Sequence, residues 1–549
     1  MSLAAPTAPS SRWFFGPGVD LLFGCGLVYC VFFVFQAAAG PTMREWAPAH
    51  LLPFLILALG APHYGATLLR VYGKREDRVR YRLFAVYVSA ALLALYVAGL
   101  QWALLGSLLV TLYFTWSPWH YSGQNYGLAV LFLRRRGVAI DPTTKRLLYS
   151  TFLISYAAIF LVLHTQGSDT QYAPATYEGT IYSFFYLGIP TVVRNVGVPL
   201  LVGAYASCLL GAAWRLRATP WRDLLPSLSL VGLQCLWFLA PAAGTLWGGS
   251  GWVEPLSPRY RAYTFMWIAV GHFVQYLWIT TYYAASSQAA SGRAAFLVKA
   301  LLVGNAIWTV PALVFAPGVA GRLPFDLGLG LLTASVVNIH HFILDGAIWK
   351  LRDGRVARAL LRPVVPTQPA HHVGERRGSR ILAAVLWGAG AVVVLAAFQT
   401  QYEYVIANRS DSSPERFRSA LERLDWLGRS SPYLHIRQAR RAFQARDLNG
   451  TLFELEQARA LYPTKELWMA YGAVYEHKAD WVAAGDAYEK AISLSEEHVQ
   501  AWLALARVQE RLGEPERALA TLERAASLAP EDAIVREVLE SRRRRAQDP

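Results

Sequence analysis

From its start to about residue 400, the chain is a succession of apolar runs, each long enough to cross a bilayer. A spanning helix needs ~20 mainly apolar residues, and lipid offers backbone N–H and C=O groups no partner except one another. Each run is therefore expected to be helical. Eleven are read, at residues 18–39, 48–70, 81–98, 102–133, 145–164, 192–213, 222–245, 260–285, 294–317, 324–350 and 380–398. Composition agrees, because 54% hydrophobic with 16% charged residues is too apolar for an ordinary soluble protein. The expected fold class is all-α: a polytopic helical bundle of about eleven spans, followed by a soluble helical domain.

The formal net charge of +15 sits in short loops beside these runs: "GKREDRVRYR" from 73, "RRRG" from 134, "RLRATPWR" from 215 and "GERRGSR" from 374. Such placement is a topology signal, and no nucleic-acid partner is expected. With the N-terminus inside, all four loops are cytoplasmic and "GGSGWVEPLSP" from 248 lies on the far side. The opening "MSLAAPTAPSSRWFF" lacks a basic n-region and a small-residue cleavage site, so the first run is expected to be a retained anchor. Cys25, Cys30, Cys208 and Cys235 lie inside apolar runs and read as small hydrophobes. Pro118 predicts a kink in the fourth run, or a break into two half-helices at "WSPWH".

Past residue 400 the chain turns rich in Glu, Arg and Ala, and a repeat emerges. Trp468 and Trp502 are 34 residues apart. After the first come Gly472, Tyr475, Ala484, Tyr488 and Ala491; after the second, Ala506, Ala518, Leu522, Ala525 and Pro530. An earlier copy carries Ala439, Ala442, Leu455, Ala458 and Pro463. This pattern resembles the tetratricopeptide repeat, a helix-turn-helix unit whose stacks present a concave surface to a peptide or protein partner. The division expected is a membrane domain over 1–400, a linker or partial repeat over 401–430, and repeats over 431–549. Eleven spans would place the repeats outside the cytoplasm, in the periplasm if the membrane is a bacterial inner membrane.

Five of the twelve histidines, His63, His120, His272, His340 and His341, fall well inside the apolar runs, whereas His50 and His164 sit near run ends. Counting back from cytoplasmic charges, His63, His341 and His120 lie roughly 10, 14 and 21 Å deep, and His272 is at similar depth. His341 and Asp345 are four apart and share a helix face with Asn338, while His340 points about 100° away as a second ligand or a supporting partner. Gln124 follows His120 by four and Gln275 follows His272 by three, positions from which an amide could orient an imidazole.

Ionisable groups within a bundle mark function by default, and imidazoles plus a carboxylate without thiolate suit iron, with zinc or copper as alternatives. The expected ligands are His63, His120, His272 and His341, with His340 undecided; Asp345 is a further ligand or catalytic base. Haem is disfavoured because no helix carries the spaced histidine pair, and HExxH and GxSxG are absent. "PHYGAT", "WHYSGQNYG" and "GHFVQY" resemble the bacterial membrane β-carotene-cleaving dioxygenases, whose singly scattered histidines hold iron in an apolar tunnel. The resemblance covers residues 18–350 and implies oxidation of a lipophilic substrate taken from the bilayer.

Two other readings compete. A membrane glycosyltransferase using a lipid-linked sugar would need a carboxylate such as Asp20, Glu45, Asp169 or Glu178. A non-enzymatic scaffold would need the helices only to anchor the repeats.

Overall fold

The computed structural model describes residues 12–38, 51–165, 175–177, 180–246, 261–287, 292–315, 329–350, 354–361, 377–409, 412–530 and 532–547. It is nearly all-α, with one two-stranded hairpin, Ala175–Tyr177 against Thr180–Tyr182. The chain divides into two compact units, one comprising Met1–Leu313 and Asp326–Gln401, the other Val314–Phe325 and Tyr402–Pro549.

The first unit contains α1 (Leu27–Ala38), α2 (Leu52–Tyr72), α3 (Leu83–Gly99), α4 (Ala103–Arg135), α5 (Pro142–Leu163) and α6 (Thr191–Arg215). It continues with α7 (Trp221–Gly244), α8 (Arg261–Ser287), α9 (Arg293–Val314), α10 (Leu329–Ile348), the short α11 (Gly354–Leu361) and α12 (Arg377–Asn408). Every expected run overlaps a helix among the described residues, but the first is broken at Cys25 and Gly26, the latter at φ 71°, so Pro17–Val19 and Asp20–Gly24 stand as short turns ahead of the 12-residue α1. Among the described residues seven are both long and apolar enough to cross a membrane: α2, α5, α6, α7, α9, α10 and Ile381–Asn408 of α12. Their outer faces carry exposed Val196, Leu200, Leu210, Val385, Val392 and Leu395, an arrangement suited to lipid and not to water. The 33-residue α4 and 27-residue α8 are long enough but less apolar, and the polar residues responsible include His120 and His272.

The helix α4 runs unbroken through Pro118, which corrects the expectation of two half-helices. Helices α2 and α9 cross at near contact: a Cβ on Gly304 would lie 1.7 Å from the Ala61 carbonyl oxygen, and one on Gly65 would lie 2.0 Å from that of Ala300. Only glycine permits this approach, which brings α2 against the bundle and fixes the height of His63. A π-helical turn at Ile56–Gly60 shifts the register just before that histidine, and Asn305 of α9 donates to the Leu57 carbonyl at 3.2 Å.

The second unit opens with the end of α12, where Glu403 accepts from Arg423 at 2.5 and 3.0 Å. Helices α13 (Pro414–Trp426), α14 (Pro432–Gln444), α15 (Leu448–Leu461), α16 (Lys465–His477), α17 (Trp481–Leu494), α18 (Val499–Arg511), α19 (Pro515–Leu528) and α20 (Ala533–Gln547) follow. The sequence repeat is visible in the backbone. Arg446, Ala479 and Gly513 all have φ near +60 to +77°, and each turns the chain between paired helices. Asp447 and Asp480, directly after the first two, cap α15 and α17 through Gly450 N and Ala483 N. Gly472 faces Tyr488 so closely that a Cβ would lie 2.4 Å from its ring, the small-against-large crossing that the repeat pattern requires. Trp468 and Trp502 pack half-buried against the cluster built on Ala484, Tyr488 and Leu505.

Candidate metal centre

Four helices bring four imidazoles together. His63 of α2 lies 4.1 Å from His341 of α10 and 4.8 Å from His272 of α8, between ring centroids; His120 of α4 lies 4.9 Å from His272 and 5.2 Å from His341. Ligand atoms of His63, His272 and His341 fall within 4.8 Å of one another, as do those of His120, His341 and Asp345. A tetrahedral ion with bonds of ~2.1 Å sets its ligand atoms roughly 3.4 Å apart, so a small inward adjustment suffices. His340 does not join them. One residue of helix turn directs it to α3, where Nε2 meets Ser89 Oγ at 2.7 Å, correcting its place in the expected ligand set.

Six nitrogens of the cluster are buried without a hydrogen-bond partner among the described residues: Nδ1 and Nε2 of His63 and of His272, and Nε2 of His120 and of His341. Burying a polar group unpaired costs about 1–3 kcal/mol, and structural histidines normally avoid it. A donor set of convergent, unpartnered imidazole nitrogens fits a borderline metal ion.

A hydrogen-bonded chain fixes one of these rings. Tyr276 donates to Asp345 Oδ1 at 2.5 Å, and its oxygen receives Trp349 Nε1–H at 3.1 Å. Thr67 Oγ1 stands 2.6 Å from the Tyr276 hydroxyl and 3.0 Å from His341 Nδ1. Because the Tyr276 proton is committed to Asp345, the Thr67 proton goes to Tyr276, and His341 Nδ1 must carry the proton that reaches Thr67. His341 Nε2 is then the bare lone pair, and it is the nitrogen that faces the cluster. Asp345 Oδ2 lies 3.8 Å from both His341 Nε2 and His120 Nε2. The carboxylate stays buried and does not reach toward Lys350; Arg352 lies outside the described residues.

The two glutamines do other work. Gln124 donates to Gln275 Oε1 at 3.3 Å, and Gln275 donates to the Gly24 carbonyl at 3.3 Å, so they tie α4 and α8 to the N-terminal segment and orient no imidazole. Asn338 accepts from the Tyr64 hydroxyl at 2.7 Å. Thr67, Tyr276, Trp349 and Tyr64 are not among the residues the sequence marks as candidates. For Thr67 and Tyr276 the signal is the spacing, since His63, His120, His272 and His341 are each followed four residues later by a polar group, Thr67, Gln124, Tyr276 and Asp345; Tyr64 and Trp349 fall outside that pattern.

Beside the cluster is a cavity of about 360 Å³, lined by His120, Tyr276 and Asp345 at one side and by Trp116, Phe342 and Trp349 among others. His164 is buried elsewhere, its Nε2 3.0 Å from Thr115 Oγ1. Of the carboxylates considered for sugar transfer, Asp20 is fully buried and held by Phe14 N, Phe15 N and Trp278 Nε1. Glu45, Asp169 and Glu178, with His50, lie outside the described residues.

The tetratricopeptide repeat model matches residues 477–541, in the second unit. The match covers helices α17 to α19 and most of α20, and does not reach the histidine-bearing helices, so it lends the oxygenase resemblance no support. Comparison with curated proteins finds no match for the chain.

Proposed function

We propose that this protein is an integral membrane, metal-dependent oxidoreductase, with iron as the ion, acting on a lipophilic substrate. The observation that carries the reading is the convergence of six unpartnered imidazole nitrogens from four helices. His63, His120, His272 and His341 hold the ion. Iron would supply redox and oxygen chemistry at this site. Thr67 keeps His341 in the tautomer that ligates, Asp345 holds or takes up a proton beside the His120 face, and the aromatic walls exclude water. The repeats recruit a protein or peptide partner, as is usual for their fold.

Metal per protein in detergent-purified material tests this. Alanine at any of the four histidines should lower occupancy at least tenfold, whereas His164→Ala should leave it unchanged. Equal metal content across all five variants and wild type would overturn the reading and leave a polar seam between helices.

A further inference from the structure

The cavity has a mouth as well as a wall of ligands. Trp116, His120, Gly123, Gly127 and Leu131 all line it, and these positions recur along one face of α4. From Trp116 to Leu131 that face extends roughly 22 Å at ~1.5 Å per residue. A volume of about 360 Å³ drawn out over such a length is narrow. A side chain added at Gly123, Gly127 or Gly346 would meet no atom within 4 Å, so the three glycines border open space. Gly123 and Gly346 are exposed, and Trp119 beside them is 38% exposed, which places the opening on the flank between α4 and α10. At the inner end stand His120, its side chain 9% exposed, and Asp345, whose Oδ2 lies 3.8 Å from the His120 Nε2. Among the described residues no lysine or arginine lines the cavity, so they offer nothing to an anionic head group.

We propose that the α4–α10 flank is a lateral portal that admits a slender, uncharged apolar chain from the bilayer and delivers it to the His120–Asp345 side of the cluster. The proposal rests on the membrane and metal reading above for the chemistry done at the inner end. The portal itself rests on the cavity, its glycines and the buried histidine. Gly123, Gly127 and Gly346 set the width of chain that passes, and the tryptophans give it flat apolar walls.

The test uses the full chain in lipid nanodiscs with a diazirine-bearing sixteen-carbon alkane as the probe, read by mass spectrometry after photolysis. Leu128 and Leu131 are only 5% and 2% exposed and line the cavity, so bulk lipid cannot reach them. They should be labelled in wild type. Gly127→Leu and, independently, Gly346→Leu should cut that labelling at least tenfold while leaving lipid-facing Leu200 and Leu210 of α6 labelled as before. Gly203→Leu, on an exposed part of α6, controls for added bulk and should change nothing. Absence of label at Leu128 and Leu131 in wild type, or persistence of label in both portal variants, overturns the portal. Metal content of the same samples is read separately: glycine-dependent labelling in metal-free protein would remove the oxidoreductase reading and leave the portal standing.

Discussion

An imidazole in a bundle interior is cheap only when both nitrogens are used, and in this cluster most are not. The chain from Asp345 through Tyr276 and Thr67 to His341 makes the consequence testable at single residues. Tyr276→Phe removes the hydroxyl that relays the proton order, and Thr67→Val removes the acceptor of His341 Nδ1–H. Each should weaken metal binding ~10–100-fold without removing a ligand, while Thr67→Ser should restore it. Competition with a chelator of known affinity measures this, and unchanged affinity in both loss variants would show that the tautomer is not fixed through Thr67. His435 offers a second residue-scale test outside the membrane helices. Its Nδ1 lies 2.8 Å from Glu454 Oε2, and its Nε2 lies 3.2 Å from Asp425 Oδ1. Burial opposes the charged ring, but these carboxylates outweigh it and push the pKa up to about 9. A raised folded-state pKa stabilises fully below the ordinary value of ~6.5 and is lost as pH climbs through 9, a contribution of at most about 3 kcal/mol. Hydrogen exchange of α14 should accelerate between pH 7 and 9.5 beyond the intrinsic chemistry, and His435→Gln should abolish the excess. At this scale the sequence disclosed the histidines and Asp345 through their depth and spacing. It misdirected His340, Gln124 and Gln275, because residue type does not say whether a side chain faces the cluster or a neighbouring backbone.

Helices were the most legible elements, since a run of some twenty apolar residues in lipid has no other conformation to adopt. Hydropathy is weakest on α4 and α8, where polar residues gather around His120 and His272. The close approach of α2 to α9 was not legible, because a glycine in an apolar run looks the same whether it faces lipid or another backbone. Gly304→Ala should force these helices apart, costing about 1–3 kcal/mol by overpacking, and should lower metal content because α2 carries His63. Gly203→Ala, with open space around it, is the matched control. Normal stability and metal in Gly304→Ala would mean the crossing is looser than the structure has it. In the repeats the turn residue was equally hidden. Ala479 occupies a left-handed conformation at φ 56°, where Gly513 stands in the next repeat. Ala479→Gly should therefore stabilise the repeats by about 0.5–1 kcal/mol, an inversion of the usual cost of glycine that a thermal melt would reveal.

Across the whole molecule, the side of the membrane that each segment faces is decided by parity and by where the arginines sit. Each of the eleven expected runs overlaps a helix among the described residues, the first only after a break at Cys25–Gly26, and seven satisfy length and apolarity outright. The remaining four, α1, α3, α4 and α8, are shorter or more polar; α4 and α8 supply two of the four histidines, so a site at one depth needs both to be embedded. If all eleven cross the membrane, the odd total would send the repeats to the side opposite the basic loops at 73, 134, 215 and 374. Single cysteines in a cysteine-free background decide this with an impermeant maleimide on intact spheroplasts. Cysteine at Gln547 in α20 should be labelled from outside, and cysteine at Arg78, in the basic segment after α2, only after permeabilisation. The same side for both would remove the odd count, and the first helix to reconsider would be α3, whose 17 residues make it the shortest of the fully described candidates. That outcome would also exchange the compartment in which the repeats meet their partner, while leaving the four-histidine geometry untouched, because the cluster depends on which helices pack together and not on which way the bundle faces.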